Sequence, residues 1–587
     1  MLLTLTEQIM YERSGEVTDQ WKKAYRLAMR VVDGRGDGIW ISIFGAVWTW
    51  QGFAAGDELH LYGEITTWNG RRQMTSPVFV AEQDRGKVVP VYTGKPGQVS
   101  AAAIAAGVQE ALSDVNVASC ILLEQACIHE AEFSAISGVQ DPVTLLRNLH
   151  TPLSVREGIA ALAAARRLTV ASVIRRAQQM KRRIPVPNAA IAVDRSMIGT
   201  LISRYPYPLT KDQLKAIEEI IADLRSPFPM RRLLSGDVGT GKTITFVIPA
   251  VAAYLAGAAV AIVVPNQLLV KQIAAEIREH YAEIVICEVL SGDEVGNGIV
   301  VGTTAVLTAS RKTEATYDFV VTDEEHRFSV EQKQSLAGPH TNVLSATATA
   351  IPRTLALVQF GGVDLSLLKV CPVIKDIKTR VIGSNDSGRL FSFLQRVLEE
   401  GGQAAIVYPL TDSSNEDVGL AVNNAFARFE AIRPGRVGLL HGKLTTDEKI
   451  QTIAQMKLGE LDLLVCTTVI EVGLTLPSLR MVVVVQPDQF GVSQLHQLRG
   501  RVARHGGPGF FFLYQTHELD DAAMARLTTL VECQDGFTLA ERDADQRGYG
   551  NIDVESDDQS GNSRLLFWGV TISRHEIEAE AKNAMLY

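Results

Sequence analysis

Gly236-Asp237-Val238-Gly239-Thr240-Gly241-Lys242-Thr243 is the stretch whose reading decides the fold. It fits G-x-x-x-x-G-K-[ST], the loop that wraps the phosphates of a nucleotide. Glycines let the backbone close on phosphate oxygens and aim successive N–H groups inward, and the N-terminus of the following helix adds positive potential. Lys242 then reaches the β- and γ-phosphates of a nucleotide such as ATP, and the Thr243 hydroxyl ligates Mg²⁺. The flanks agree with this reading. An apolar segment, Arg232–Ser235, leads into the loop, and a helix-compatible apolar run, Ile244–Leu255, leads out of it.

Outward from the loop, 587 residues predict on the order of three to five domains with ample core. With 46% hydrophobic and 21% charged residues, the chain reads as a soluble globular protein. The net charge of −9 excludes a global basic field, so any nucleic-acid site has to be a local patch. Six cysteines, at 120, 127, 287, 371, 466 and 533, form no C-x-x-C pair. That argues against a disulfide framework or a zinc site and suits a reducing cytoplasm. The N-terminus lacks the pattern of a signal peptide. The apolar run Ile244–Val264 is long enough to span a bilayer, but Gly257 divides it into a helix and a buried strand, Val260–Val264.

Residues 20–90 read as β-rich. Alternating segments, Ile39–Phe44 and Glu58–Tyr62, are broken by Gly52, Gly56, Gly63 and Asn69-Gly70. Five of the six tryptophans fall here: Trp21, Trp40, Trp48, Trp50 and Trp68. A small five-stranded barrel of the OB type fits this length, and such barrels stack bases on aromatics. Trp40 is expected in the barrel's own core; Trp48, Trp50 and Trp68 divide evenly between core and nucleic-acid contact. Residues 98–190 are alanine-rich and helical in pattern. Between Arg166 and Arg183 lie seven basic residues and no acidic one, a face suited either to a phosphate backbone or to solvent. From about 195 to 375, and again from 376 to 520, short Val/Ile/Leu strands alternate with helices, which predicts two parallel α/β lobes. Only the first carries a phosphate loop.

Further along, Val320-Val321-Thr322-Asp323-Glu324-Glu325-His326 sets carboxylates at the end of an apolar strand. In a phosphate-loop fold the first holds Mg²⁺ and the second orients or deprotonates the attacking water. In the second lobe, Gln497-Leu498-Arg499-Gly500-Arg501-Val502-Ala503-Arg504 is expected to place Arg501 and Arg504 on one helix face. Arginines so placed stabilise charge on a transferring γ-phosphoryl group, and a finger on the opposite lobe couples hydrolysis to lobe closure.

Together these segments resemble a superfamily 2 helicase, and within it the RecG-type DNA translocases. The supporting stretches are Leu209–Gln213, Met230–Thr243, Asp323–Phe328, Thr347–Ala356, Leu440–Lys443, Thr467–Gly473 and Phe490–Arg504. The likeness runs in order over roughly residues 85–560. The resemblance implies that Gln213 reads the adenine and that Gly236 to Thr243 bind the phosphates. It implies that Asp323 and Thr243 hold Mg²⁺, that Glu324 is the catalytic base, and that Arg501 and Arg504 are the fingers. Gly473 would line the cleft. His326, Thr304, Thr347 and Thr349 would couple the nucleotide site to DNA. Phe537–Gly550, followed by Gln559-Ser560-Gly561, resembles the translocation motif that RecG shares with Mfd, with Arg547 and Gln559 as its candidates.

The implied architecture is two RecA-like parallel-sheet helicase lobes preceded by an OB-like wedge barrel and a helical linker, with a C-terminal helical hairpin. The boundaries are 1–92 for the wedge, 93–192 for the linker with its basic arm, 193–375 and 376–520 for the lobes, and 521–587 for the hairpin and tail. The implied function is ATP-dependent remodelling of branched DNA, forks and Holliday junctions, in repair and recombination by a cytoplasmic monomer. A single-strand DNA or RNA helicase, or a nucleotide-switched DNA-binding scaffold with weak turnover, remains an alternative. Departures from the family pattern are Thr475 in place of aspartate, Gly302-Thr303-Thr304 for Gly-Thr-His, Pro265-Asn266-Gln267 for Pro-Thr-Glu, and an acidic stretch between Gly550 and Gln559. None removes a catalytic residue.

Overall fold

The structure, a computed structural model, describes residues 2–583 apart from 13–15, 34–35, 45–46, 69–70, 76, 81–86, 89, 93–98, 182–183, 325–331, 333–335, 348, 352–355, 357–362, 410–414, 468–475, 477, 505, 518, 548–565, 568–569 and 571. The chain divides into two compact units: Met1–Glu124 with His129–Ala165, and Gln125–Ile128 with Arg166–Tyr587.

In the first unit the strands are β1 (Leu2–Tyr11), β2 (Val17–Thr18), β3 (Arg26–Val32), β4 (Gly38–Phe44), β5 (Glu58–Tyr62), β6 (Ile65–Trp68), β7 (Arg71–Thr75) and β8 (Val78–Phe79). Antiparallel β1 joins β3 and β5, β3 joins β4, β4 runs parallel to β7, and β5 closes on β8. Because β7 and β8 are successive pieces of one stretch of chain, the circuit β1–β3–β4–β7/β8–β5 is a five-stranded barrel of the OB type, as the alternating pattern predicts. Alternate residues such as Leu3, Leu5, Leu27, Met29, Ile41 and Leu59 fill its interior.

The tryptophans distribute differently from expectation. Trp50, a candidate for DNA contact as much as for core, is only 4% exposed and packs in the barrel core. Trp48 is 66% exposed. Trp40 is half-buried rather than a core residue, and the side chain of Trp68, on β6, lies outside the described residues.

Helices follow the barrel, as the alanine-rich pattern predicts: Ala101–Ser113, Val115–Ala126, Glu130–Ser137, Pro142–His150 and the 27-residue Val155–Lys181. Basic residues of this last helix have internal partners. Arg166 pairs with Glu576 at 3.1 Å, and Arg176 donates to the Gln125 carbonyl at 2.9 Å. Arg182 and Arg183 lie outside the described residues.

The second unit holds two wholly parallel sheets. The first contains β9 (Arg231–Gly236), β10 (Val260–Val263), β11 (Ile286–Val289), β12 (Ile299–Gly302), β13 (Phe319–Asp323), β14 (Asn342–Thr347) and β15 (Asp364–Leu368), in the order β11-β12-β10-β13-β14-β9-β15. The second contains β16 (Lys375–Ile382), β17 (Gln403–Val407), β18 (Val437–Leu440), β19 (Leu463–Cys466), β20 (Leu479–Val485) and β21 (Gly507–Tyr514), in the order β16-β21-β20-β17-β19-β18. Strands such as Val260–Val263 and Leu463–Cys466 are buried on both faces, which is why they read as continuous apolar runs. Gly257, at φ +88°, separates the helix Lys242–Leu255 from β10, and no helix among the described residues is long and apolar enough to cross a membrane.

Fully buried Asn342 anchors the centre of the first sheet. Its Oδ1 accepts from the Met230 N–H at 2.8 Å and its Nδ2 donates to the Ala189 carbonyl at 2.8 Å, which fixes β14 beside the strand that ends in the phosphate loop. Past the second sheet lie the helix pair Asp521–Glu532 and Gly536–Arg547, and the helix Arg574–Asn583.

Candidate functional site

A parallel sheet delivers the carboxyl ends of its strands to one edge, where ligands of such folds sit. Here β9, β14 and β13 are neighbours, so the phosphate loop, Thr347 and Asp323 arrive side by side at that edge. Thr304, exposed at the end of β12, begins the helix Ala305–Thr313 at the same edge.

The loop turns through Gly239 and Gly241, at φ +88° and +77°, conformations that side chains resist, and delivers Lys242 to the helix start. Lys242 Nζ donates to the carbonyls of Gly236 (2.8 Å) and Asp237 (3.0 Å). Burial lowers its pKa; the charges of Glu324, Asp323 and Asp237 oppose that shift. Gln213 is 3% exposed and spans two elements: its Oε1 accepts from the Thr210 N–H at 2.8 Å, and its Nε2 donates to the Thr240 carbonyl at 2.9 Å. The residue expected to read the adenine therefore also braces the phosphate loop.

Asp323 ends β13, and its Oδ1 accepts from the Glu324 N–H at 3.0 Å. Burial and the adjacent Glu324 push its carboxyl well above the usual range, with Lys242 and Arg501 pulling the other way. Glu324 itself sits at φ +56°, a strained conformation for a non-glycine residue. The Asp323 carboxyl at the end of β13 and the Thr243 hydroxyl at the helix start are hard oxygen donors of the kind a Mg²⁺ ion takes. Thr347 and Thr349 share a hydroxyl hydrogen bond of 2.7 Å. Ser235, the residue before the loop, accepts from the Ile351 N–H at 2.8 Å, so the Thr347–Thr349 segment is tied to the loop's leading strand.

The second lobe closes the site with the helix Val492–Gly500 and the turn after it. Arg501 and Arg504 do not share a helix face, as the spacing had suggested. The helix stops at Gly500, Arg501 is its C-cap, and Ala503 adopts φ +50°. A side chain at Gly500 would press to within 2.7 Å of Val238 Cγ1, so a glycine is needed where the helix end meets the phosphate loop. Arg501, 5% exposed, carries a charge felt at both Lys242 and Asp323. Arg504 is pushed down to about 9 by burial and by the charge of Arg501. His326, Gly473, Thr475 and Gln559 lie outside the described residues, as does the side chain of Arg547 at the end of its helix.

Besides the loop residues Asp237 and Val238, several participants were not singled out from the sequence. Lys375, at the start of β16, donates to the Gly500 carbonyl at 2.9 Å beside Gly239. Asp237 meets His496 at 2.6 Å, and His496 meets Arg499 at 2.7 Å. These residues, with Val238 and Cys371, line a cavity of about 190 Å³. His496 and Arg499 stand within the Phe490–Arg504 stretch, but their partners are set by tertiary packing and leave no local signal. Asp212 Oδ2 accepts from the N–H groups of Lys369 (2.8 Å) and Val370 (3.0 Å), which fastens the connector between the sheets to the first lobe.

Residues 210–358 match the DEAD/DEAH box helicase model and 389–506 the helicase conserved C-terminal domain. The ATP-dependent DNA helicase RecG of Staphylococcus aureus (strain Mu50 / ATCC 700699) is 33% identical over 491 residues, covering 79% of this chain and 69% of that protein. The chain belongs to the RecG family of ATP-dependent DNA helicases. RecG of Staphylococcus epidermidis (strain ATCC 35984) is 32% identical over 498 residues, covering 80% of this chain and 70% of that protein. A solved structure of RecG bound to a three-way DNA junction shares the fold, with a TM-score of 0.61 at 22% identity over 99% of this chain and 77% of that one. RecG membership makes the chain an ATP-using enzyme whose two lobes are a helicase motor.

Proposed function

We propose that this RecG-family helicase remodels branched DNA, forks and junctions, by translocating on duplex DNA with ATP hydrolysed between its lobes. The observation that carries this reading is the composite site: Gly500, beside Arg501 in the second lobe, packs against Val238 of the phosphate loop, with Lys375 bridging to the Gly500 carbonyl at 2.9 Å. A site completed from both lobes turns each hydrolysis into relative movement of the lobes. The RecG of known structure was captured on a three-way junction, which supports the choice of substrate.

In this reading the loop amides and Lys242 hold the phosphates, and Gln213 takes the adenine while bracing Thr240. Thr243 and Asp323 would hold Mg²⁺, which supplies charge neutralisation on the β- and γ-phosphate oxygens. Glu324 orients the attacking water and accepts its proton, while Arg501 and Arg504 stabilise charge on the departing γ-phosphoryl group. Thr304, the Thr347–Thr349 segment, His326, Arg547 and Gln559 serve DNA contact and coupling. Trp48 offers a stacking surface on the barrel.

The test is steady-state ATPase and strand separation on a fork, a Holliday junction, a linear duplex, single strands and an RNA duplex. Branched DNA is expected to stimulate turnover most, and Lys242→Ala to abolish it on every substrate. Equal stimulation by linear duplex would refute branch specificity, and full stimulation by single strands would favour a conventional single-strand helicase.

A further inference from the structure

Asp237 occupies a position that the phosphate-loop pattern leaves unspecified, yet its side chain is among the most heavily engaged in the second unit. Its Oδ1 accepts from the Val238 N–H and from His496 Nε2, both at 2.6 Å, and its Oδ2 accepts from the Gly536 N–H at 3.0 Å. One carboxylate thus joins the phosphate loop to the helix that precedes the finger arginines and to the first residue of the helix Gly536–Arg547.

The network continues beyond His496. Arg499 Nη2 lies 2.7 Å from His496 Nδ1. Arg499 can only donate, so Nδ1 accepts, and the ring proton stands on Nε2, where it donates to Asp237. Arg499 also donates to the carbonyls of Leu530 (2.7 Å) and Gln534 (3.1 Å), at the end of the helix Asp521–Glu532 and in the turn after it. The bonds close a buried circuit: phosphate loop, finger helix, helix pair, and back through the Gly536 amide. Gly536 has to be glycine there, since a Cβ would stand 2.6 Å from His496 Nε2 and 2.7 Å from Asp237 Oδ2.

The phosphate lysine is connected to the same circuit. Lys242 Nζ donates to the main-chain carbonyl of Asp237 at 3.0 Å. A phosphate that draws Nζ to itself releases that carbonyl, and the residue whose side chain anchors His496 is freed to shift. Buried hydrogen bonds in a chain polarise one another, so a change at the Asp237 end is felt along the circuit.

We infer that His496 is a positioning residue that relays the state of the phosphate loop to the helix pair Asp521–Glu532 and Gly536–Arg547, through Asp237 on one side and Arg499 on the other. The inference rests on the nucleotide site proposed above. It adds a second route out of that site, separate from the finger arginines.

The test is amide hydrogen exchange on the full chain, without DNA, before and after adding ADP–beryllium fluoride with Mg²⁺. In the wild type, exchange is expected to change both at residues 236–243 and at 536–547. In His496→Ala the loop response persists while the helix response falls about twofold or more. His496→Gln, which keeps a donor near the place of Nε2, restores most of it. Gly536→Ala, which crowds the same junction from the helix side, reproduces the loss and serves if His496→Ala does not fold. A full helix response in His496→Ala, or a Gln variant as defective as the Ala variant, overturns the relay. A wild type whose loop does not respond removes the nucleotide site itself, and the relay with it.

Discussion

Trp48 and Trp50 stand two positions apart on one short 3₁₀ turn, Val47–Trp50, and meet opposite environments. Trp50 is buried among the barrel's aliphatic side chains, with the Phe53 ring centroid 6.0 Å away; Trp48 is mostly in solvent. Truncating the buried ring leaves a cavity as well as losing its transfer energy, so Trp50→Ala should destabilise the barrel unit by about 3–5 kcal/mol. Trp48→Ala should change stability by no more than about 0.5 kcal/mol. If Trp48 stacks on a base, its loss weakens junction binding by about 1–3 kcal/mol. Thermal melting and fluorescence anisotropy on a labelled junction separate the two residues. Unchanged affinity in Trp48→Ala would rule out a stacking role.

Among the elements, the helix Gln267–His280 carries Glu276, whose carboxyl is pushed up to about 7. Burial is the main cause; the Tyr205 hydroxyl at 3.4 Å partly offsets it and Glu279 adds to it. The folded state therefore binds this proton more tightly than the unfolded chain, where the group titrates near 4.5. Stability is lost as pH rises between those values, and the penalty is complete above about 7. Glu276→Gln should melt with the wild type near pH 4.5 and above it at pH 8, by on the order of 1–3 kcal/mol. Melting curves of both proteins across this range check the sign. The contrast between legible and illegible elements has the same local-against-tertiary origin. Strands buried on both faces, such as Val260–Val263, announce themselves as apolar runs, and the phosphate loop is a local spacing of glycines with Lys242 and Thr243. The end of the helix at Gly500 is dictated by Val238, and His496 finds Asp237 across 259 positions, so neither leaves a periodicity to read. Trp50 was ambiguous for a related reason: a 3₁₀ turn obeys no strand alternation.

At the scale of the molecule, the proposed site draws residues from both lobes. Arg501 contributes to a site whose lysine and acids belong to the other sheet, so its removal should leave nucleotide binding within a few-fold while kcat falls about a thousandfold. Binding of a fluorescent ATP analogue beside single-turnover hydrolysis makes the split visible; parallel losses in both would assign Arg501 to binding alone. With a net charge of −9, long-range attraction does not bring DNA to this motor, and contact has to come from local patches. The clamp that Asp212 places on Lys369 and Val370 bears on how far the motor moves. Lobe 1 keeps hold of the connector up to that point, and β16 begins at Lys375, so only Cys371–Ile374, with Pro372 inside it, is left to bend. A tether that brief acts as a door hinge and not as a leash. The far lobe is then expected to swing about this short segment rather than to slide.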